Sequence, residues 1–207
     1  MICILGCLNT KNGLIICKEM RSWLDTEHNV FEVHQEPPGK LFEYPAIKCA
    51  VDTAITMNEP VLYLHTKGAA NPYPLHYKES MMASCVNYPK NAKPEDCQKI
   101  VRNMWKHEFT GQRLQRYIEE VNKEEPIIVC PFTGTEKYTW QNGFIINPLA
   151  AKELKKTFHF DSNRHYYETM CNKIDTINVI GIISNNINNT LEGRTPMWNK
   201  IWEFYDK

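Results

Sequence analysis

Apolar and polar positions fall into blocks along the chain, and the period inside each block selects an element. Residues 2 to 8, ICILGCL, are continuously apolar and stop at Asn9, Thr10 and Lys11, which predicts a buried strand. Over residues 13 to 25, Leu14, Cys17, Met20 and Leu24 recur at helical spacing. Residues 29 to 34 read as a second short strand, and QEPPGK, residues 35 to 40, as a loop because of its prolines and glycine. A helix follows over 43 to 57, with Pro45 accommodated in its first turn. VLYLH, residues 61 to 65, is a third buried strand.

This order of strands and helices predicts an α/β fold, with a mostly parallel sheet, right-handed crossovers and flanking helices. Ligands of such sheets bind beyond the carboxyl ends of the strands. Element order alone therefore places Asn9, the QEPPGK loop and the HTKG segment at 65 to 68 in one neighbourhood.

The remaining pattern is less regular. Residues 69 to 93 are rich in Pro, Asn, Tyr and Lys and read as a loop with one short helix near 75 to 85. Helices are predicted over 94 to 107 and 109 to 123, with a break near Thr110 and Gly111. Strands are predicted over 126 to 131, 143 to 147 and 177 to 183. PLAAKELKKTF, opened by Pro148, reads as a helix between the last two. Aromatics in the tail, MWNKIWEFYDK, stand at near-helical spacing and are explained equally by core packing and by a homodimer contact.

Length sets the scale: 207 residues suffice for one sizeable core and are short for two, so the chain reads as a single domain, 1–207. Lys plus Arg and Asp plus Glu balance at 24 each, which argues against nucleic acid and requires any anion site to be local. Of the eight cysteines none forms a CxxC pair, so a zinc ribbon or a thioredoxin-like site has no support. Several lie in apolar runs, where a free thiol behaves as a small hydrophobe; Cys85 and Cys97, in a polar region, are the exceptions. Reduced, buried thiols predict a cytoplasmic protein. ILGC resembles a lipoprotein cleavage site, but the basic segment and longer apolar stretch of a signal are missing, so the reading is a first strand. No apolar run approaches the roughly 20 residues of a membrane span, so any membrane association is peripheral.

Four segments have the residue types for chemistry. In the first, His65, Thr66 and Lys67 leave a buried strand and Gly68 frees the backbone, a combination suited to a phosphate or diphosphate. A polar turn after a strand is the plainer account. In the second, Trp140, Gln141 and Asn142 offer an aromatic plane beside amides, which suits a sugar, although Asn-Gly also signals a hairpin. In the third, RHYYE, Arg164 and Glu168 make either a surface pair worth about 0.3 kcal/mol or, for Glu168, a general base toward an acceptor hydroxyl. In the fourth, Glu43 heads a helix, where a carboxylate suits the dipole and could also meet a ribose or base. Histidines 28, 76, 107, 159 and 165 have no ligand-like spacing, and the HEF at 107 lacks the second His of a zinc protease.

EYPAI at 43 to 47, VLYLHTKG at 61 to 68 and WQNGFIINPLAAKEL at 140 to 154, with RHYYE trailing, resemble a family of small bacterial glycosyltransferase-like proteins of capsule and lipopolysaccharide assembly. The resemblance spans roughly residues 1 to 170, and HTKG after a YL strand is its most specific block. It implies a GT-A-like, Rossmann-like fold with a nucleotide-sugar half, 1–68, and an acceptor half, 126–170. Asn9, Glu43, His65, Lys67 and Gly68 would then serve the nucleotide sugar. Trp140, Gln141, Asn142 and Arg164 would serve a glycan or lipid-linked acceptor, and Lys67 and Glu168 the chemistry. Such a protein would work in the cytoplasm or peripherally at the inner membrane. GT-A enzymes usually hold Mn or Mg on a DxD pair. Here His65-Thr66-Lys67 occupies that place, so no metal ligand is assigned and positive side chains would replace the ion.

The missing acidic pair also fits a non-catalytic relative that binds a nucleotide or glycan within a polysaccharide assembly complex. A phosphotransferase is the third reading, and the absence of a P-loop and of GxGxxG argues against it.

Overall fold

The computed structural model describes residues 1–36, 43–66, 94–134, 136–139, 143–161, 166–187, 197 and 199–201. Its strands are β1 (Ile2–Leu8), β2 (Asn29–Gln35), β3 (Val61–His65), β4 (Ile127–Gly134), β5 (Phe144–Ile146) and β6 (Asn178–Ile187). Its helices are α1 (Lys11–Leu24), α2 (Tyr44–Met57), α3 (Pro94–Glu108), α4 (Gly111–Val121), α5 (Pro148–Lys155) and the single turn α6 (Tyr166–Thr169).

The strands make one six-stranded sheet in the order β2-β1-β3-β5-β4-β6. β1 pairs in parallel with β2 and β3, and β4 pairs in parallel with β6. β5 runs antiparallel to both of its neighbours, β3 and β4. The sheet is therefore mixed, which corrects the expected mostly parallel one. The reason is the connection from Gly134 to Phe144, too short for the crossover helix that a parallel return needs, so the chain doubles back.

Helices cover both faces. Ile16, Cys17, Met20 and Leu24 of α1 join Val101, Met104 and Trp105 of α3 and Leu114 and Tyr117 of α4 over Cys3, Leu5 and Cys7 of β1. Ala46, Ile47, Ala50 and Val51 of α2 join Ala150 and Leu154 of α5 and Tyr167 of α6 over Ile4, Tyr63 and Phe144. Alternation along β1 sends odd positions to the first layer and even ones to the second.

Local chemistry sets the element ends. Thr10 caps α1, its hydroxyl accepting from Gly13 N at 2.9 Å, so the helix starts two residues before the apolar period does. Asn58 closes α2 in the left-handed conformation. Asn147 caps α5 through Ala150 N. The predicted helix near 75 to 85 and Cys85 lie outside the described residues. Cys3, Cys7, Cys17, Cys130 and Cys171 are buried free thiols, as expected. Among the described residues no helix is long and apolar enough to cross a membrane.

Candidate functional site

β1 has β2 on one side and β3 on the other, and the helices of the two connections lie on opposite faces of the sheet. The chain therefore reverses its direction of travel between β1 and β3, and outside the carboxyl ends of strands at such a reversal is where sheets of this kind take their ligands. The backbone is tied tightly there. Leu8 N donates to Thr66 Oγ1 at 3.2 Å, Thr66 N donates to Gly6 O at 2.8 Å, and Asn9 N donates to Gln35 O at 2.8 Å. Asn9, the start of the QEPPGK loop and the start of HTKG are thus neighbours, as element order predicts.

Two polar clusters flank this point, one on each face. On the α2 face, Glu43 Oε1 lies 3.7 Å from His65 Nε2, and Glu43 Oε2 accepts from the Tyr63 hydroxyl at 3.3 Å. Burial, reinforced by that carboxylate, pushes the Tyr63 phenol well above its ordinary range, so it acts as a donor. The His65 ring stacks beside Tyr63 and meets Trp105 edge-on, with centroids 5.4 Å apart. Gly143 makes room for that indole, since a Cβ there would lie 2.4 Å from Trp105 Nε1.

On the α1 face, Asn9 Nδ2 donates to Glu36 Oε1 at 2.6 Å, and Asn9 Oδ1 accepts from His34 Nδ1 at 2.7 Å. His34 Nε2 lies 2.5 Å from Glu32 Oε2, and Arg21 reaches Glu32 Oε1 at 3.0 Å. Burial works to raise the Glu32 pKa, but His34 and Arg21 outweigh it and hold the carboxylate below its ordinary range. Asn9 and the Glu43–His65 pair therefore flank the same strand ends but occupy different faces.

Of the remaining expected site residues, Glu168 is half-buried in α6, and its carbonyl accepts from Thr139 N at 2.9 Å. That bond places Glu168 beside Thr139, the residue preceding Trp140 in sequence. The two tyrosines of RHYYE pack: Phe158 stacks on Tyr44 at 5.2 Å and contacts Tyr166 and Tyr167, joining α6 to the start of α2. Lys67, Gly68, Trp140, Gln141, Asn142 and Arg164 lie outside the described residues.

Sequence reasoning passed over His34, Glu32, Glu36, Thr66 as a backbone tie, Tyr63 and Trp105. The alternation Glu32-Val33-His34 in an otherwise apolar strand was the available signal for the first two, because it puts both polar side chains on one face. Comparison with family models, with curated proteins and with solved structures finds no match for this chain.

Proposed function

We infer that the chain is a glycosyltransferase that moves a sugar from a nucleotide-diphosphate donor to a glycan or lipid-linked acceptor in surface polysaccharide synthesis. The observation that carries this reading is the reversal of chain direction between β1 and β3, with Thr66 tied across their ends and Glu43 and His65 beside it. The donor diphosphate would lie against Asn9, His65, Lys67 and Gly68, with Glu43 toward the ribose or base. The acceptor would lie against Trp140, Gln141, Asn142 and Arg164.

In the transfer the acceptor hydroxyl oxygen attacks the anomeric carbon, and its proton passes to the Glu168 carboxylate. The bond from that carbon to the diphosphate oxygen breaks, and the nucleoside diphosphate leaves with the electron pair. Lys67 and backbone N–H groups would stabilise the charge that develops on it. A single direct displacement inverts the anomeric centre.

The test is release of nucleoside diphosphate from a panel of uridine and guanosine diphosphate sugars, with and without manganese. Release by the wild type, lost in Lys67→Ala at unchanged melting temperature, supports the assignment. Normal release by that variant removes Lys67 from the chemistry. Binding without release assigns the chain a non-catalytic role, and absence of binding overturns both.

A further inference from the structure

Cys7 and His34 are register partners across β1 and β2, and their side chains share the α1 face with Glu32. α1 docks close enough on the strand end to bring Cys17 Sγ to 2.9 Å from Cys7 Sγ. Ligand atoms of Cys7, Glu32 and His34 all lie within 4.8 Å of one another. We propose that Cys7, Cys17, Glu32 and His34 form a tetrahedral zinc site at the end of β1.

The argument begins at Asn9. Its Nδ2 donates to Glu36, which leaves Oδ1 facing His34 Nδ1 at 2.7 Å. His34 Nδ1 is therefore the donor, and the proton sits there. His34 Nε2 then points at Glu32 Oε2 from 2.5 Å. In the metal-free chain that contact is a short hydrogen bond with a proton between the two atoms, and zinc would displace the proton and take both atoms as ligands. A ligating histidine characteristically has its other nitrogen held by an outer oxygen, the role that Asn9 has here.

The donor set selects the ion. Two thiolates, an imidazole and a carboxylate suit zinc, whereas calcium and magnesium take oxygen ligands. Zinc bond lengths space the ligand atoms of a tetrahedron about 3.3 to 3.8 Å apart, within the 4.8 Å span of Cys7, Glu32 and His34. The ion would therefore draw Cys17 off Cys7 and His34 off Glu32 from their present 2.9 and 2.5 Å contacts. Two thiolates and a carboxylate exceed the charge of zinc by one, and Arg21 at 3.0 Å from Glu32 supplies the balancing cation. The thiols are buried, while Glu32 and His34 are partly exposed on a strand at the end of the sheet order, which provides entry from solvent. A Cys7–Cys17 disulfide is the competing use of the same thiols, but it would leave the convergence of Glu32 and His34 on them without a purpose.

This site shares only Asn9 with the transferase reading, and its test needs no turnover. Reduced, chelator-stripped full chain is titrated with cobalt(II) and followed by absorbance. The expected result is one equivalent bound, with the strong visible bands of tetrahedral cobalt and a thiolate charge-transfer band, both bleached by zinc. Cys17→Ser and His34→Gln should each weaken binding at least 100-fold, Asn9→Ala about 10-fold, and Cys49→Ser not at all. Because His34 lies at the sheet's margin, its variant reports even if a cysteine variant does not fold. The proposal is overturned by octahedral or absent cobalt bands, by bands that survive in His34→Gln, or by a Cys7–Cys17 disulfide whose reduction yields no metal uptake.

Discussion

Gly13 lies directly against Leu8: a Cβ built on Gly13 would stand 2.0 Å from the Leu8 carbonyl oxygen. Helix α1 consequently sits down onto the end of β1 with no side chain between them, and one turn later Cys17 reaches Cys7. Alanine favours a helix over glycine by about 1 kcal/mol, yet here it cannot enter without moving the helix off backbone atoms. Gly13→Ala should destabilise by about 2 kcal/mol net, typical of overpacking. Urea unfolding would show a lower midpoint, and an unchanged or higher one would contradict the close docking.

Asn147 is a second joint. It is 3% exposed, and its Oδ1 accepts from Ile127 N and Ala150 N while Nδ2 donates to Val121 O and Glu125 O. One amide thus fixes the end of α4, the start of β4 and the first turn of α5. Asn147→Ala removes a helix cap and leaves buried backbone groups unpaired, a loss of about 3 kcal/mol. Asn147→Asp should recover only part of this, because a carboxylate restores the acceptors and not the donors. Denaturant midpoints of the two variants give the comparison.

β1, β3 and the two helices of the first half were legible because each is an apolar block or stripe with polar ends: ICILGCL, the α1 stripe, VLYLH. Their convergence at Asn9 and Thr66 followed from order alone. The direction of β5 was not legible, since FII reads the same either way and only the shortness of the connection before it reverses the strand. Glu32 and His34 were hidden for a different reason. Each is ordinary in a strand, and only the register of β2 on β1 shows that His34 is opposite Cys7. Cys7 and Cys17 read as small hydrophobes by burial, which is correct, but burial carries no information about which thiols meet.

His28 supplies a pH dependence. It is 6% exposed, and its Nε2 bonds the Phe109 carbonyl at 2.8 Å, so the neutral ring is the donor. Among the described residues Nδ1 meets no partner, and a second proton there would be buried without an acceptor. Burial lowers the folded pKa below the ordinary 6.5, partly opposed by the Phe109 carbonyl. The unfolded chain therefore binds this proton first. Stability is full above about pH 6.5 and falls as pH drops from there toward the folded value. His28→Gln keeps the bond to Phe109 and should flatten that decline, measured as melting temperature from pH 7.5 down to 5. Equal slopes for wild type and variant would remove His28 as the source.

The Glu43–His65 pair tests the donor site itself. Glu43 stands 3.7 Å from His65 and takes a bond from Tyr63, so the carboxylate positions the ring as well as presenting charge. If the donor nucleotide lies here, Glu43→Gln should weaken its binding about tenfold, or about 1.4 kcal/mol. His65→Ala should do at least as much. Because the two side chains act as a unit, the double variant should lose clearly less than the two single losses added together. Tyr63→Phe separates the roles, for it releases one Glu43 oxygen and leaves the ion-pair geometry available. Its expected loss is about threefold, smaller than that of either partner. Titration calorimetry with a uridine or guanosine diphosphate sugar reads all four. Strict additivity would show that the pair does not act together on the ligand, and unchanged affinity in His65→Ala would place the nucleotide elsewhere.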